Sequence, residues 1–375
     1  MPLSGITPDA YPQLLEQKAA AVCALLAPYQ PPAPIIFPSR PTGYRMRAEF
    51  RIWHDGDDLD YVMFPRHGST SPVPITNFPV ACERIQALMP ALIALLKPDV
   101  TLRRKLFQVE FLSTLAGDTL VSLIYHRRLD DSWRQAAERL ALQLDISLVG
   151  RSRKQKVVIG RDYVLEKLRV AGEEFIYRQY EQSFTQPNGG LNIRMIDWAC
   201  ERAAALEGDL LELYCGNGNF TLPLSRHFRQ VIATELSKTS IRAARENILA
   251  NGVDNISMIR LSAEEVTQAM NGEREFRRLA ELPKALQDFD LQTLFVDPPR
   301  AGLDEATAGM AVRFPAIIYI SCNPHTLAGN LDQLCLTHDI ENFALFDQFP
   351  YTDHMECGVL LRKKATEANT ADHFN

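Results

Sequence analysis

Two short segments carry side chains able to do covalent chemistry. One is Tyr319-Ile320-Ser321-Cys322-Asn323-Pro324, where a thiol stands just past an apolar run. A thiolate is a strong nucleophile, and a helix opening after Pro324, near His325, would lower the thiol pKa. The plain alternative is a buried structural cysteine, a common fate of a free thiol. The other is His354-Met355-Glu356-Cys357-Gly358, where a carboxylate enters a second apolar run. Glu356, with His354 beside it, is a candidate base for proton removal, or else a solvated turn residue. A third segment, Phe295-Val296-Asp297-Pro298-Pro299-Arg300, ends a buried-type strand in an acid. Cys215 sits in a glycine turn, where packing is the better reading, and Cys23, Cys82, Cys200, Cys335 and Cys357 have no chemical context.

A ligand-binding turn precedes these segments. Glu212-Leu213-Tyr214-Cys215-Gly216-Asn217-Gly218-Asn219-Phe220 follows one apolar strand and opens a helix. Glycines there let the backbone turn sharply and approach a ligand. The next strand ends in Glu235, 19 residues after Gly216, where an acid can grip a ribose hydroxyl. Two glycines alone also fit a plain strand-to-helix turn. The missing third glycine favours S-adenosylmethionine over a nicotinamide dinucleotide as the nucleoside ligand.

The elements that must position these residues fall into two halves. Residues 9–27 read as a helix, and 28–41 hold six prolines, an extended connector. Residues 44–53 alternate strictly: Tyr44, Met46, Ala48, Phe50 and Ile52 point one way, and Arg45, Arg47, Glu49 and Arg51 the other. That predicts a half-buried strand with a basic outer face. Strands at 59–66, 106–113, 119–126, 146–150 and 156–160, with helices at 81–97 and 130–144, complete an α+β unit. Beyond residue 180, helices at 189–206, 220–228 and 237–251 alternate with strands at 210–215, 231–235, 256–261, 293–297 and 316–321. Two more strands fit 342–348 and 356–362. The fold class expected is therefore α/β: a Rossmann-like domain with a doubly wound, mostly parallel sheet over 181–364, preceded by an α+β domain over 1–180. Residues 365–375 read as a disordered tail.

Composition narrows the classes further. The chain has 375 residues, 46% hydrophobic and 23% charged, which excludes a disordered chain or a disulfide scaffold. No apolar run approaches the roughly 18 residues a membrane span needs, and the N-terminus lacks a signal-peptide layout. Seven scattered cysteines without CxxC spacing fit reduced thiols in a cytoplasm, and no cluster has metal-ligand spacing. Net charge is −6, yet residues 40–160 hold 18 Lys and Arg against 13 Asp and Glu. That asymmetry permits a basic face on an acidic protein.

Taken together, Ser183-Phe184-Thr185-Gln186-Pro187-Asn188, Glu212 to Phe220, Asp297-Pro298-Pro299-Arg300-Ala301-Gly302, Ser321-Cys322-Asn323-Pro324 and His354-Met355-Glu356-Cys357 resemble one family, the RNA uracil-C5 methyltransferases. Asp297-Pro298-Pro299 is also similar to a signature of amino-methylating enzymes, but those carry an aromatic residue where Arg300 stands. The likeness is greatest to the tRNA branch, which makes ribothymidine at nucleotide 54 of the T-loop and acts on the corresponding uridine of tmRNA. The ribosomal-RNA branch typically has a four-cysteine iron–sulfur site, and here only Cys23 and Cys82 precede Cys200. The resemblance implies that Gln186, Tyr214, Asn219, Glu235 and Asp297 bind S-adenosylmethionine, that Cys322 is the nucleophile and that Glu356 is the base. It implies no metal and no iron–sulfur cluster. A monomer with no membrane partner is expected. Candidates for phosphate and base contacts are Arg45, Arg47 and Arg51 with Tyr44 or Phe50, Arg103-Arg104-Lys105, and the stretch from Arg151 to Lys156, each of which also reads singly as plain solvated surface. A ribosomal-RNA methyltransferase and a non-catalytic RNA-binding or folding module are the competing readings.

Overall fold

The computed structural model describes residues 6–64 and 71–365. Two expectations fall partly elsewhere: the end of the strand at 59–66, and the tail from 366 on, lie outside the described residues.

The apolar runs of the second half assemble into an eight-stranded sheet. Its order is Ile35–Phe37, His338–Phe346, Glu356–Lys363, Ala316–Ser321, Leu291–Val296, Asp209–Leu213, Val231–Thr234 and Ile256–Ile259. Every pairing is parallel except the two made by Glu356–Lys363. The runs are unbroken because both faces are covered. Leu294 and Val296 enter one core while Phe295 enters the other, and Ile317 and Ile318 divide the same way. The strand Asp209–Leu213 lies between Leu291–Val296 and Val231–Thr234. Chain order reverses there, and such a switch point opens a crevice at the carboxyl ends of the strands.

The first half forms a seven-stranded sheet: Val73–Pro74, Asp58–Met63, Arg47–Asp55, Leu106–Ser113, Thr119–Tyr125, Ser147–Ser152 and Gln155–Ile159. Helices Glu83–Leu96 and Asp131–Leu144 contribute to the core on one of its faces, where Phe50, Phe111 and Trp133 are buried. The alternation expected at 44–53 is observed, with Tyr44, Met46, Ala48, Phe50 and Ile52 all buried. An antiparallel hairpin, Tyr163–Val170 with Glu173–Tyr180, then packs on the helix Lys238–Ala250.

One segment crosses the expected organisation. The helix Tyr11–Leu26 buries Ala19, Val22 and Leu26 in a core of the eight-stranded sheet, and Ile35–Phe37 pairs with Ala344–Phe346. Residues 11–37 thus pack with the second half rather than with the α+β unit. Within the proline-rich connector, three residues hydrogen-bond as an edge strand.

Candidate functional site

The glycine turn is built as its residue types require. Tyr214 has φ 60°, Gly216 φ 57° and Gly218 φ 87°. Left-handed backbone suits glycine and costs a side-chain-bearing residue energy, so Tyr214 is held there by its surroundings. The Gly216 amide donates to the Glu235 carboxylate at 3.1 Å. Glu235 also accepts from the amides of Leu236 and Ser237, each at 2.7 Å. The acid ending the second strand therefore braces the turn after the first. Asn219 exchanges amide hydrogen bonds with Asn192 at 2.8 and 2.9 Å. Gln186 accepts from Gln348 at 2.8 Å.

All seven residues singled out in the sequence line one cavity of about 730 Å³: Gln186, Tyr214, Asn219, Glu235, Asp297, Cys322 and Glu356. Cys215 is buried, its sulfur 3.7 Å from that of Met258, as the packing reading expected. Sequence reasoning left out Glu212, a buried acid that also lines the cavity. Its signal was available: a carboxylate set between Leu211 and Leu213 in the apolar strand Asp209–Leu213.

Cys322 and Glu356 are brought together by strand register. Ser321 pairs with Cys357 in antiparallel alignment, so the next residues outward, Cys322 and Glu356, stand opposite each other at the sheet's end. Gly358 lets that last strand pack closely, since a Cβ there would lie 3.0 Å from both Phe346 and Trp198. A second cavity, about 450 Å³, meets the first at this point. Both are lined by Cys322, Glu356, Arg300 and Phe184, an aromatic residue 74% exposed. The second is walled by Arg45, Glu49 and Phe78 from the seven-stranded unit and by Phe349, Thr352 and His354 from the loop before Glu356.

The electrostatics differ from expectation at the thiol. The helix Pro324–Leu334 does begin where expected, capped by the Asn323 side chain. Yet the Cys322 thiol is pushed up to about 11, by burial first and then by the charges of Glu356 and Asp297, with Arg300 opposing. Two carboxyls and desolvation outweigh a helix end. Burial raises Glu356 to about 8, helped by Asp297, and raises Asp297 itself to about 7. Oε2 of Glu356 is buried with no hydrogen-bond partner among the described residues. A cavity crowded with buried acids and holding an unpaired carboxyl oxygen fits a cationic ligand such as a sulfonium. Among the described residues, no group of three or more His, Cys, Asp or Glu could hold a metal ion.

The proposed RNA contacts divide. Tyr44 and Phe50 are buried core residues and cannot stack on a base. Arg47 donates to the Glu181 carbonyl, and Arg151 grips the Glu181 carboxylate at 2.6 and 2.7 Å. Lys156 pairs with Asp162 and Glu181, and Arg103 with Asp57. These four link parts of the protein to one another. Arg45 faces the second cavity, Arg51 is exposed with its guanidinium 3.9 Å from the Phe107 ring, and Arg104, Lys105, Arg153 and Lys154 are exposed.

The parallel sheet with a cavity at its switch point is a methyltransferase fold. A solved structure, the Pyrococcus abyssi tRNA (uracil-54, C5)-methyltransferase in complex with S-adenosyl-L-homocysteine, superposes with TM-score 0.72 at 22% identity, over 96% of this chain and 86% of that one. A family model described as tRNA (Uracil-5-)-methyltransferase matches residues 10–364. The chain belongs to that family. Proteins named tRNA/tmRNA (uracil-C(5))-methyltransferase are 52% identical in Serratia proteamaculans and 55% in Pseudomonas aeruginosa, each over 95% of this chain and 98% of the relative. No described helix is long and apolar enough to cross a membrane.

Proposed function

We propose that the protein methylates C5 of a uridine in tRNA, at nucleotide 54 of the T-loop, and the equivalent uridine of tmRNA, using S-adenosylmethionine. The observation that carries the mechanism is the meeting of two cavities at Cys322 and Glu356. The larger one suits the methyl donor and the smaller one a single extruded base. Taking a uridine out of its stack costs a few kcal/mol, and the smaller cavity sits between the two halves, where RNA on the first half can deliver it.

Gln186, Tyr214, Asn219, Glu235 and Asp297 hold the donor. Once bound, S-adenosylmethionine supplies an electrophilic methyl group. Cys322, its thiol proton given up to solvent, bonds through sulfur to C6 of the uracil. The electron pair of the C5–C6 double bond moves onto C5 and O4 as an enolate, and C5 takes the methyl group as the methyl carbon–sulfur bond of the sulfonium breaks, its electrons staying on sulfur as a neutral thioether that leaves. Glu356 then removes the proton left on C5. The electrons of that bond re-form C5–C6 and expel the Cys322 thiolate. Covalent addition splits one difficult substitution into easier steps.

The test is methyl transfer from labelled S-adenosylmethionine to unmodified tRNA, beside a tRNA whose T-loop uridine is cytidine. Label on the first alone is expected. Label on ribosomal RNA instead would overturn the substrate, and label on neither would overturn the activity. Cys322→Ala is expected to lose both methylation and any covalent RNA adduct. Glu356→Gln is expected to keep the adduct and release it slowly. An active Cys322→Ala protein would refute the mechanism.

A further inference from the structure

Gln348 belongs to none of the motifs singled out above, yet it touches the cavity's polar wall from behind. It follows the strand His338–Phe346 and is fully buried. Its Nε2 donates to Oε1 of Gln186 at 2.8 Å and lies 3.5 Å from the sulfur of Met195. A thioether accepts hydrogen bonds and cannot donate them. The sulfur favours the amide orientation of Gln348 with nitrogen toward Met195 and Gln186, which leaves the Gln348 oxygen buried with no hydrogen-bond partner among the described residues. Reversing both amides would press the Gln348 oxygen against the sulfur, two acceptors in contact. Gln186 lines the cavity, and with its own oxygen already accepting, its –NH2 is the group left to serve a ligand there.

We propose that Gln348 is a positioning residue for the donor cavity: it fixes Gln186 as a hydrogen-bond donor toward a cofactor acceptor atom. This rests on the reading that the cavity holds S-adenosylmethionine. The same backbone stretch carries Phe349, Thr352 and His354 of the second cavity. It is pinned from outside by Lys18, which pairs with Asp347 and donates to the Phe349 carbonyl at 3.1 Å. Gln348 thus joins the wall around the base to the wall around the donor.

The experiment measures affinity for S-adenosylmethionine and S-adenosylhomocysteine by titration calorimetry, with thermal midpoints alongside. Gln348→Glu, with affinity read at pH 9 where a buried carboxyl is ionised, puts an acceptor where the donor stands, so Gln186 must turn its –NH2 backward and show oxygen to the cavity. Gln348→Met keeps the bulk and removes the donor, leaving Gln186 free to adopt either orientation. Affinity is expected to fall about tenfold in Gln348→Glu, the loss of about one hydrogen bond to a polar ligand, and less in Gln348→Met. In a Gln186→Ala background, Gln348→Glu is expected to change affinity no further, because nothing remains to orient. An equal further loss in that background would refute the positioning role, as would a loss in both Gln348 variants that tracks only their thermal midpoints. If Gln186→Ala alone binds the donor normally, the cofactor reading of Gln186 itself falls.

Discussion

Asp297 and Glu356 are acids in one cavity, and the charge of the first raises the proton affinity of the second. Both titrate near neutrality rather than near their ordinary values of 3.8 and 4.5, at about 7 and about 8. The folded protein therefore holds protons that the unfolded chain has released between roughly pH 4.5 and 8. Stability from these groups is complete below that window and is lost as pH rises through it. The thermal midpoint of the ligand-free protein is expected to fall from pH 5 to pH 8. Glu356→Gln should flatten part of that slope and be the more stable form at pH 8. An unchanged slope would show that Glu356 is ionised throughout.

The Cys322 thiol, raised to about 11, is expected to be unreactive in the free protein. Its alkylation by iodoacetamide, followed by peptide mapping, should climb about tenfold per pH unit from 7 to 9, as the thiolate fraction does. Glu356→Gln removes one of the opposing charges and should raise the rate at pH 8. A plateau below pH 8 would reveal a thiolate formed in advance.

Gly218 takes φ 87°, with nothing closer than 3.8 Å to a built Cβ. Gly218→Ala therefore acts through backbone strain alone, expected at about 1–2 kcal/mol by denaturant titration. It should also weaken S-adenosylmethionine binding. Gly272→Ala, at φ 72° outside the cavity, carries similar strain and should leave binding unchanged.

Lys18 and Asp347 form a largely buried ion pair. Lys18→Met strands a charge in the interior and is expected to cost about 3–5 kcal/mol in urea unfolding. Lys18→Met combined with Asp347→Asn should recover much of that loss. A double variant whose cost equals the sum of those of Lys18→Met and Asp347→Asn alone would mean that the pair's charges do not interact.

Lys154 is exposed, whereas Arg151 holds the buried Glu181. If Lys154 meets a phosphate, Lys154→Ala should lower the salt dependence of tRNA affinity by about one unit of slope without changing the thermal midpoint. Arg151→Gln should instead lower the midpoint. A salt slope untouched by Lys154→Ala removes that residue from the RNA face.

The parallel sheet was legible because strands covered on both faces read as unbroken apolar runs, as from Ile317 to Ile320. Glu235, Asp297, Cys322 and Glu356 were legible because each stands at the end or the entry of a strand, whereas Gln186, Tyr214 and Asn219 were marked only by the family resemblance. The hairpin at 163–180 was not. Its alternation of Val164, Leu168 and Val170 is broken by Glu166, a buried carboxyl that accepts from the Leu115 amide at 3.0 and 3.1 Å. No local pattern announces a partner 51 residues away. The thiol's high proton affinity was hidden for the same reason. The helix start after Cys322 is local, whereas Asp297 and Glu356 reach it only through the sheet. Gln348 has no signal in sequence, since its importance lies in one hydrogen bond to Gln186.

The pairing of Ile35–Phe37 with Ala344–Phe346 also bears on how the protein is made. During synthesis from the N-terminus, the helix Tyr11–Leu26 and this short strand emerge early but must wait some 300 residues for their partners. Such distant contacts carry a large loop-closure cost and form late. A chain cut short before residue 338 leaves the strand Ile35–Phe37 without its partner and the first helix without part of the core it packs on. The edge of the sheet beside the strands that carry Cys322 and Glu356 is thus completed by a segment made some 300 residues earlier, which ties the start of the chain to the finishing of the catalytic centre.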